Sequence, residues 1–289
     1  MGSDDKMKRT LLRIVVLIGL TITSVEYAVS EPLNIPISSI KKEREVRTCN
    51  SEGIKFSVLS FWASLTSYKR IEKLKGGSKT QFVTSDGVKL SGKKISTSDA
   101  NDAYVLIIQG NGFPAGFLIQ HFQEIAELGV DVYAYDFRGY KRSRGKRRFW
   151  AMLQDYKEII ADLNSKYDKR MIYSTSFGGV ITANIIQEYE KFDQVIFDSV
   201  VSTVDNLITC EKNYNPVDRL PKNCQSLAVI MNSDDRFYKQ GLLQTLDERA
   251  RKCGATSIAF KDLAHPFESG KKSINSRMIE LKKLIKGRL

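Results

Sequence analysis

The sequence predicts an α/β protein with a mostly parallel central sheet, helices on both faces and a short lid. Three observations carry this. Short apolar runs of strand length alternate with longer amphipathic runs of helix length from about Thr80 onward. Several of the short runs, such as Tyr104–Gln109, are continuously apolar, as strands buried on both faces must be. One run, Met171-Ile-Tyr173, passes into a helix through a turn rich in small residues, Ser174-Thr-Ser-Phe-Gly-Gly179. Such a turn needs small side chains where strand and helix backbones approach.

Taken in order, the chain of 289 residues divides into three stretches. Residues 1–30 read as a signal peptide or N-terminal anchor. Lys8 and Arg9 precede an apolar run from Leu11 to Leu20, interrupted by Arg13, and Ala28 and Ser30 stand at cleavage-like positions. The expected location is therefore exported, periplasmic or secreted, or membrane-anchored through this segment. Residues 31–79 read as an arm with Pro32 and Pro36, followed by a helix over 54–74 that ends at Gly76-Gly77.

Residues 80–289 form the main domain. Gln81–Leu90 predicts two strands around an Asp86-Gly87 turn. A strand over Tyr104–Gln109 is followed by a helix over Phe117–Leu128. Val130–Phe137 is a strand and Phe149–Tyr167 a helix. After the Met171 strand and its helix come strands at Gln194–Phe197 and Leu227–Met231. A helix over Tyr238–Arg251, a strand over Thr256–Phe260 and a closing helix over Ser273–Ile285 complete the chain.

The small-x-Ser-x-small spacing selects Ser176, flanked by Ser174 and Gly178; around Ser174 the bulky Ile172 breaks the pattern. This resembles the nucleophile elbow G-x-S-x-G of α/β hydrolases, with Ser174 in place of the first glycine. Tyr135-Asp-Phe-Arg-Gly-Tyr-Lys-Arg-Ser-Arg-Gly145 is similar to the D-x-R-G-x-G-x-S segment of that superfamily, with Lys141 for a glycine. Its usual residues Asp136, Arg138 and Ser143 fix loops rather than react. Gly110-Asn-Gly-Phe-Pro-Ala-Gly116 resembles the loop after the third strand, with Gln109 where His is common.

The resemblance implies a serine hydrolase, and each role follows residue by residue. Ser176 is the nucleophile. His265, after the last strand, is the general base; the second histidine, His121, lies within a helix and reads as packed or on the surface. The orienting acid is Asp235 in Asn232-Ser-Asp-Asp235, with Asp234 and Asp198 as alternatives. The backbone N–H groups of Asn111 and Phe177 form the oxyanion hole. The expected substrate is a carboxylic ester, thioester or lysophospholipid, and the alternative is a silent fold that binds lipid or protein in the envelope.

No zinc-type spacing, P-loop or dinucleotide motif is visible, so no metal or cofactor is expected. Cys210 and Cys224 are a possible disulfide closing the lid, and Cys49 and Cys253 a further pair. The net charge of +12 favours acidic partners. Lys141, Arg142, Arg144, Lys146, Arg147 and Arg148 form a dense run suited to an anionic membrane surface. No recognition motif accompanies it, so nucleic acid is not expected.

Overall fold

The strand of continuous apolar sequence lies in the middle of the sheet. In the computed structural model, β3 (Ala103–Ile108) is buried at all six positions. Its side chains alternate between two separate cores, Tyr104, Leu106 and Ile108 on one face and Ala103, Val105 and Ile107 on the other. The structure describes residues 74–98, 101–111, 113–188, 191–204, 214–267 and 270–289, all within one compact unit. The expected leader, the 31–73 part of the arm and helix, Cys49 and Cys210 lie outside the described residues.

Among the described residues, eight strands form one sheet in the order β1-β2-β4-β3-β5-β6-β7-β8. They are β1 (Gly77–Val83), β2 (Lys89–Ile95), β3, β4 (Asp131–Tyr135), β5 (Lys169–Thr175), β6 (Gln194–Asp198), β7 (Leu227–Asn232) and β8 (Thr256–Phe260). β1 and β2 form the antiparallel hairpin that the Asp86-Gly87 turn predicts, and β2 joins β4 antiparallel. Every pairing from β4 to β8 is parallel. The carboxyl ends of these parallel strands share one rim, where ligands bind in open α/β sheets.

Helices cover both faces. α3 (Phe149–Asn164), α4 (Phe177–Ala183) and α6 (Leu242–Lys252) bury Phe149, Met152, Tyr156, Val180, Leu243 and Leu246 in one core. α1 (Ala115–Ile119), α2 (Gln123–Ala126) and α7 (Gly270–Lys286) supply Leu118, Ile119, Ile125, Met278, Leu281 and Ile285 to the other.

Two predicted helices are divided. The one expected over 117–128 breaks at Phe122, which leaves helical geometry and buries completely against Tyr173, ring centroids 5.1 Å apart. The one expected over 238–251 breaks at Gly241, whose φ of 76° separates α5 (Arg236–Lys239) from α6. The middle of the expected lid, 205–213, lies outside the described residues. Its flanks are tied down, Val204 N–H donating to Asn215 Oδ1 at 2.8 Å and Asn184 Nδ2 to the Tyr214 carbonyl at 3.0 Å. Among the described residues, no helix is long and apolar enough to cross a membrane.

Candidate active site

Ser176 stands alone between β5 and α4, at φ 50° and ψ −120°. A side-chain-bearing residue rarely adopts a positive φ, so the surrounding structure must hold it there. Ser176 N–H donates to the Asp198 carbonyl and its own carbonyl accepts from Gly179 N–H, both at 3.0 Å. A Cβ on Gly178 would lie 2.0 Å from the Ile108 carbonyl oxygen, and one on Gly179 would lie 2.0 Å from Val200 Cγ2. Both glycines are therefore demanded by how closely α4 approaches its neighbours. Ser174 fits at the first small position because its fully buried hydroxyl donates to the Ile196 carbonyl at 3.1 Å. Ser176 itself is half-buried at the rim.

The loop after β3 borders the serine. A Cβ on Gly110 would sit 3.2 Å from Ser176 Cβ and 3.8 Å from its Oγ. Asn111 follows Gly110 in that loop, and its side-chain Oδ1 accepts from the Tyr140 hydroxyl at 2.6 Å. Phe177 is the residue after Ser176, its ring packed between Phe137 and Phe149. Of the two residues expected to receive an oxyanion, Asn111 therefore follows a residue that borders the serine, and Phe177 follows the serine itself.

Asp235 and His265 are brought together across 30 residues. The imidazole Nδ1 lies 2.7 Å from Asp235 Oδ2, with the aspartate fully buried and the histidine nearly so. Asp235 caps α5, its Oδ1 accepting from Phe237 N–H at 2.8 Å. The Phe237 ring meets His265 edge-on, centroids 5.6 Å apart. Burial pushes the Asp235 carboxyl up. The hydrogen bond to His265, its charge attraction, the Phe237 N–H and the Ser199 hydroxyl outweigh it, so the pKa lies below the usual carboxylate value.

Among the described residues Ser176 makes no hydrogen bond to His265. Such bonds are often long before substrate binds. The other acid candidates are engaged elsewhere. Asp234 is exposed and paired with Lys239 at 3.3 Å. Asp198 is fully buried in an ion pair with Arg277 Nε.

That ion pair belongs to a network the sequence did not reveal. Arg277 Nη2 donates to Asn232 Oδ1 at 2.9 Å, and Asn232 Nδ2 donates to Ser199 Oγ at 2.6 Å. Ser199 in turn bonds Asp235, and the Tyr173 hydroxyl donates to Asp198 Oδ2 at 2.7 Å. Asn232 stands where the family's turn has glycine, and this network occupies its side chain. One signal was present: Arg277 falls on the apolar stripe of its helix, between Ile274 and Leu281.

The D-x-R-G segment holds loops, as its resemblance implies. Asp136 Oδ1 accepts from Ala115 N–H at 2.8 Å. Arg138 spans two carboxylates, Asp155 and Asp86. The Ser143 hydroxyl donates to the Asp136 carbonyl at 2.7 Å and accepts from Ser91 N–H at 2.9 Å. Lys141 adopts φ 47° where the family has glycine. His121 is packed, stacking on Phe267 and meeting Phe117 edge-on.

The cysteine expectation needs correction. Cys224 is disulfide-bonded to Cys253, not to Cys210, and Cys253 is thereby unavailable to Cys49. The pair joins the segment before β7 to the end of α6, where Cys224 N–H also donates to the Cys253 carbonyl at 2.8 Å. Residue spacing along the chain does not show that β7 begins beside the end of α6. Among the described residues, no group of three His, Cys, Asp or Glu converges to hold a metal ion.

Comparison with known proteins agrees with this architecture. A model of the serine aminopeptidase family S33 matches residues 99–237. Comparison with curated protein sequences finds no match. Among solved structures, an esterase of Pyrococcus furiosus is similar at 19% identity with a TM-score of 0.61, over 78% of this chain and 96% of that one. Esterase 2 of Thermogutta terrifontis, phosphorylated by paraoxon, is similar at 16% identity with a TM-score of 0.56, over 74% and 94%. An α/β hydrolase from a Penicillium species is similar at 12% identity with a TM-score of 0.57, over 73% and 98%. The chain thus has the fold of the α/β hydrolases, and the serine aminopeptidase model matches just under half of it.

Proposed function

We propose that this chain is a serine hydrolase that cleaves an ester-like bond through an acyl-enzyme on Ser176. The observation that carries the proposal is the buried Asp235–His265 pair on the rim that also bears the Ser176 elbow. A carboxylate bound to Nδ1 fixes the imidazole tautomer that leaves Nε2 able to accept a proton. Ser176 attacks the carbonyl and passes its proton to His265, which returns it to the leaving group. The N–H groups of Asn111 and Phe177 receive the oxyanion, each donor of this kind contributing about 3 kcal/mol in the transition state. Water, activated by the same imidazole, then releases the acyl group.

The substrate class we assign is a carboxylic ester, thioester or lysophospholipid. The esterase names of the similar structures and the family model support the hydrolytic reading. The pattern of residues 1–30 supports an exported or anchored protein, and the Cys224–Cys253 disulfide accords with an oxidising compartment.

A fluorophosphonate probe tests the reaction. The wild type is expected to label covalently, Ser176→Ala not at all, and His265→Ala at least about 100-fold more slowly. A folded wild type that fails to label favours a catalytically silent binding protein.

A further inference from the structure

We propose that the chain docks on an anionic phospholipid surface through a basic groove on its β1–β2 edge. Lipid phosphates would be seated among Lys79, Lys89, Arg142 and Arg144. These four cations line an open groove of about 480 Å³. Thr80, Gln81 and Ser91 also line it, and among the described residues no carboxylate does.

The groove is a tertiary product. Lys79 and Gln81 lie on alternate positions of β1, which puts them on one face of the ribbon. Opposite them, Ser91 pairs with Gln81 and Lys89 with Val83, so these residues share that face. The loop leaving β4 is pinned alongside. Arg144 N–H donates to the Lys89 carbonyl, and Ser91 N–H to Ser143 Oγ, both at 2.9 Å. These bonds bring Arg142 and Arg144 to lysines more than fifty residues earlier.

Only part of the basic run in the sequence takes part. Arg147 is bound to the Gly139 carbonyl at 2.9 Å and lies over the Tyr140 ring, and Arg148 Nη1 donates to the Arg147 carbonyl.

Among the described residues the lining holds no aromatic ring on which a base could stack, which argues against single-stranded nucleic acid. Val83, directly opposite Lys89, is 54% exposed, and an apolar side chain among cations suits a headgroup boundary. Arg142 and Arg144 leave the carboxyl end of β4, on the rim that bears Ser176. β2 and β5 are three strand spacings apart, about 14 Å.

The test is co-sedimentation of the full chain with vesicles of phosphatidylcholine, with and without phosphatidylglycerol. The double variant Arg142→Gln/Arg144→Gln is expected to lose about 30-fold in affinity for the anionic vesicles, from the contribution typical of two cations at such a surface. Arg249→Gln/Lys252→Gln removes the same charge from the exposed side of α6 and is expected to change binding less than about threefold. An equal loss in both variants overturns the groove. Saturable binding of glycerol phosphate that needs the two arginines, with no vesicle binding, overturns the lipid in favour of a soluble phosphate ester. Tighter binding of duplex DNA with the same arginine dependence overturns it in favour of nucleic acid. Ser176→Ala must bind vesicles like the wild type, so a failure of the hydrolase reading leaves this result unaffected.

Discussion

Asp136 shows how a single buried carboxylate makes the rim sensitive to pH. Burial pushes its pKa up to about 6, although the Ala115 N–H and the charges of Lys141, Lys93 and Arg142 oppose the shift. Its folded pKa therefore exceeds that of the unfolded chain. Stability from this group is fully present below about pH 4 and is lost as pH rises towards 6. Asp136→Asn keeps an oxygen for Ala115 and removes the titration. Relative to wild type, the variant should gain up to about 3 kcal/mol between pH 4 and pH 7 in urea unfolding. A constant difference across that range would show that Asp136 does not titrate in the folded protein. Asp235 has the opposite sign. Its depressed pKa adds stability that is lost as pH falls through the acid range.

At the scale of elements, α7 is fastened beneath the rim by one guanidinium. Arg277 is fully buried, and it joins Asp198 at the end of β6 to Asn232 at the end of β7. Ser176 N–H rests on the Asp198 backbone, so the same junction supports the elbow. Removing one partner leaves an uncompensated buried charge, and Arg277→Met should cost about 3–5 kcal/mol. Arg277→Met combined with Asp198→Asn should be less damaging than the sum of the single changes, because neither charge is then stranded. A double-mutant cycle by denaturant unfolding measures this coupling, and strict additivity would rule it out. Fluorophosphonate labelling of the same variants reads whether the elbow stays in position.

For the molecule as a whole, the disulfide closes a loop that contains β7, the Asp235 turn, α5 and α6. Cys224 and Cys253 are 29 residues apart. On the chain-entropy account, a loop of that length adds about 3–4 kcal/mol by restricting the unfolded state. Cys224→Ser/Cys253→Ser, or reduction of the wild type, should lower the thermal midpoint by roughly 5–10 °C. The Asp235–His265 contact lies at the opposite ends of β7 and α6 from the disulfide. Probe labelling at low temperature should therefore survive reduction. Loss of labelling with no change in midpoint would mean that the disulfide shapes the site rather than the unfolded chain.

Much of the candidate site is legible in the sequence. Ser176 was fixed by the small residues around it, because a strand that turns into a helix within one residue tolerates nothing larger. His265 and Asp235 stood out because they follow strand-like runs, and a strand end on a parallel sheet points to the rim. Those signals are local, as are the hairpin turn at Asp86-Gly87 and the apolar run of β3. Phe122 and Gly241 divide their helices for different reasons. Phe122 obeys a distant partner, Tyr173, which periodicity does not register; Gly241 was visible and only its left-handed backbone was not.

The sequence by itself determined the layered sheet, the serine elbow and the order Ser176, Asp235, His265, since each depends on patterns a few residues long. Only the tertiary structure decided that Cys224 pairs with Cys253, that Arg277 underpins the rim and that Arg142 and Arg144 join the lysines of β1 and β2. These contacts link residues from 29 to 79 positions apart, and their geometry exists only once strand order and crossovers are set.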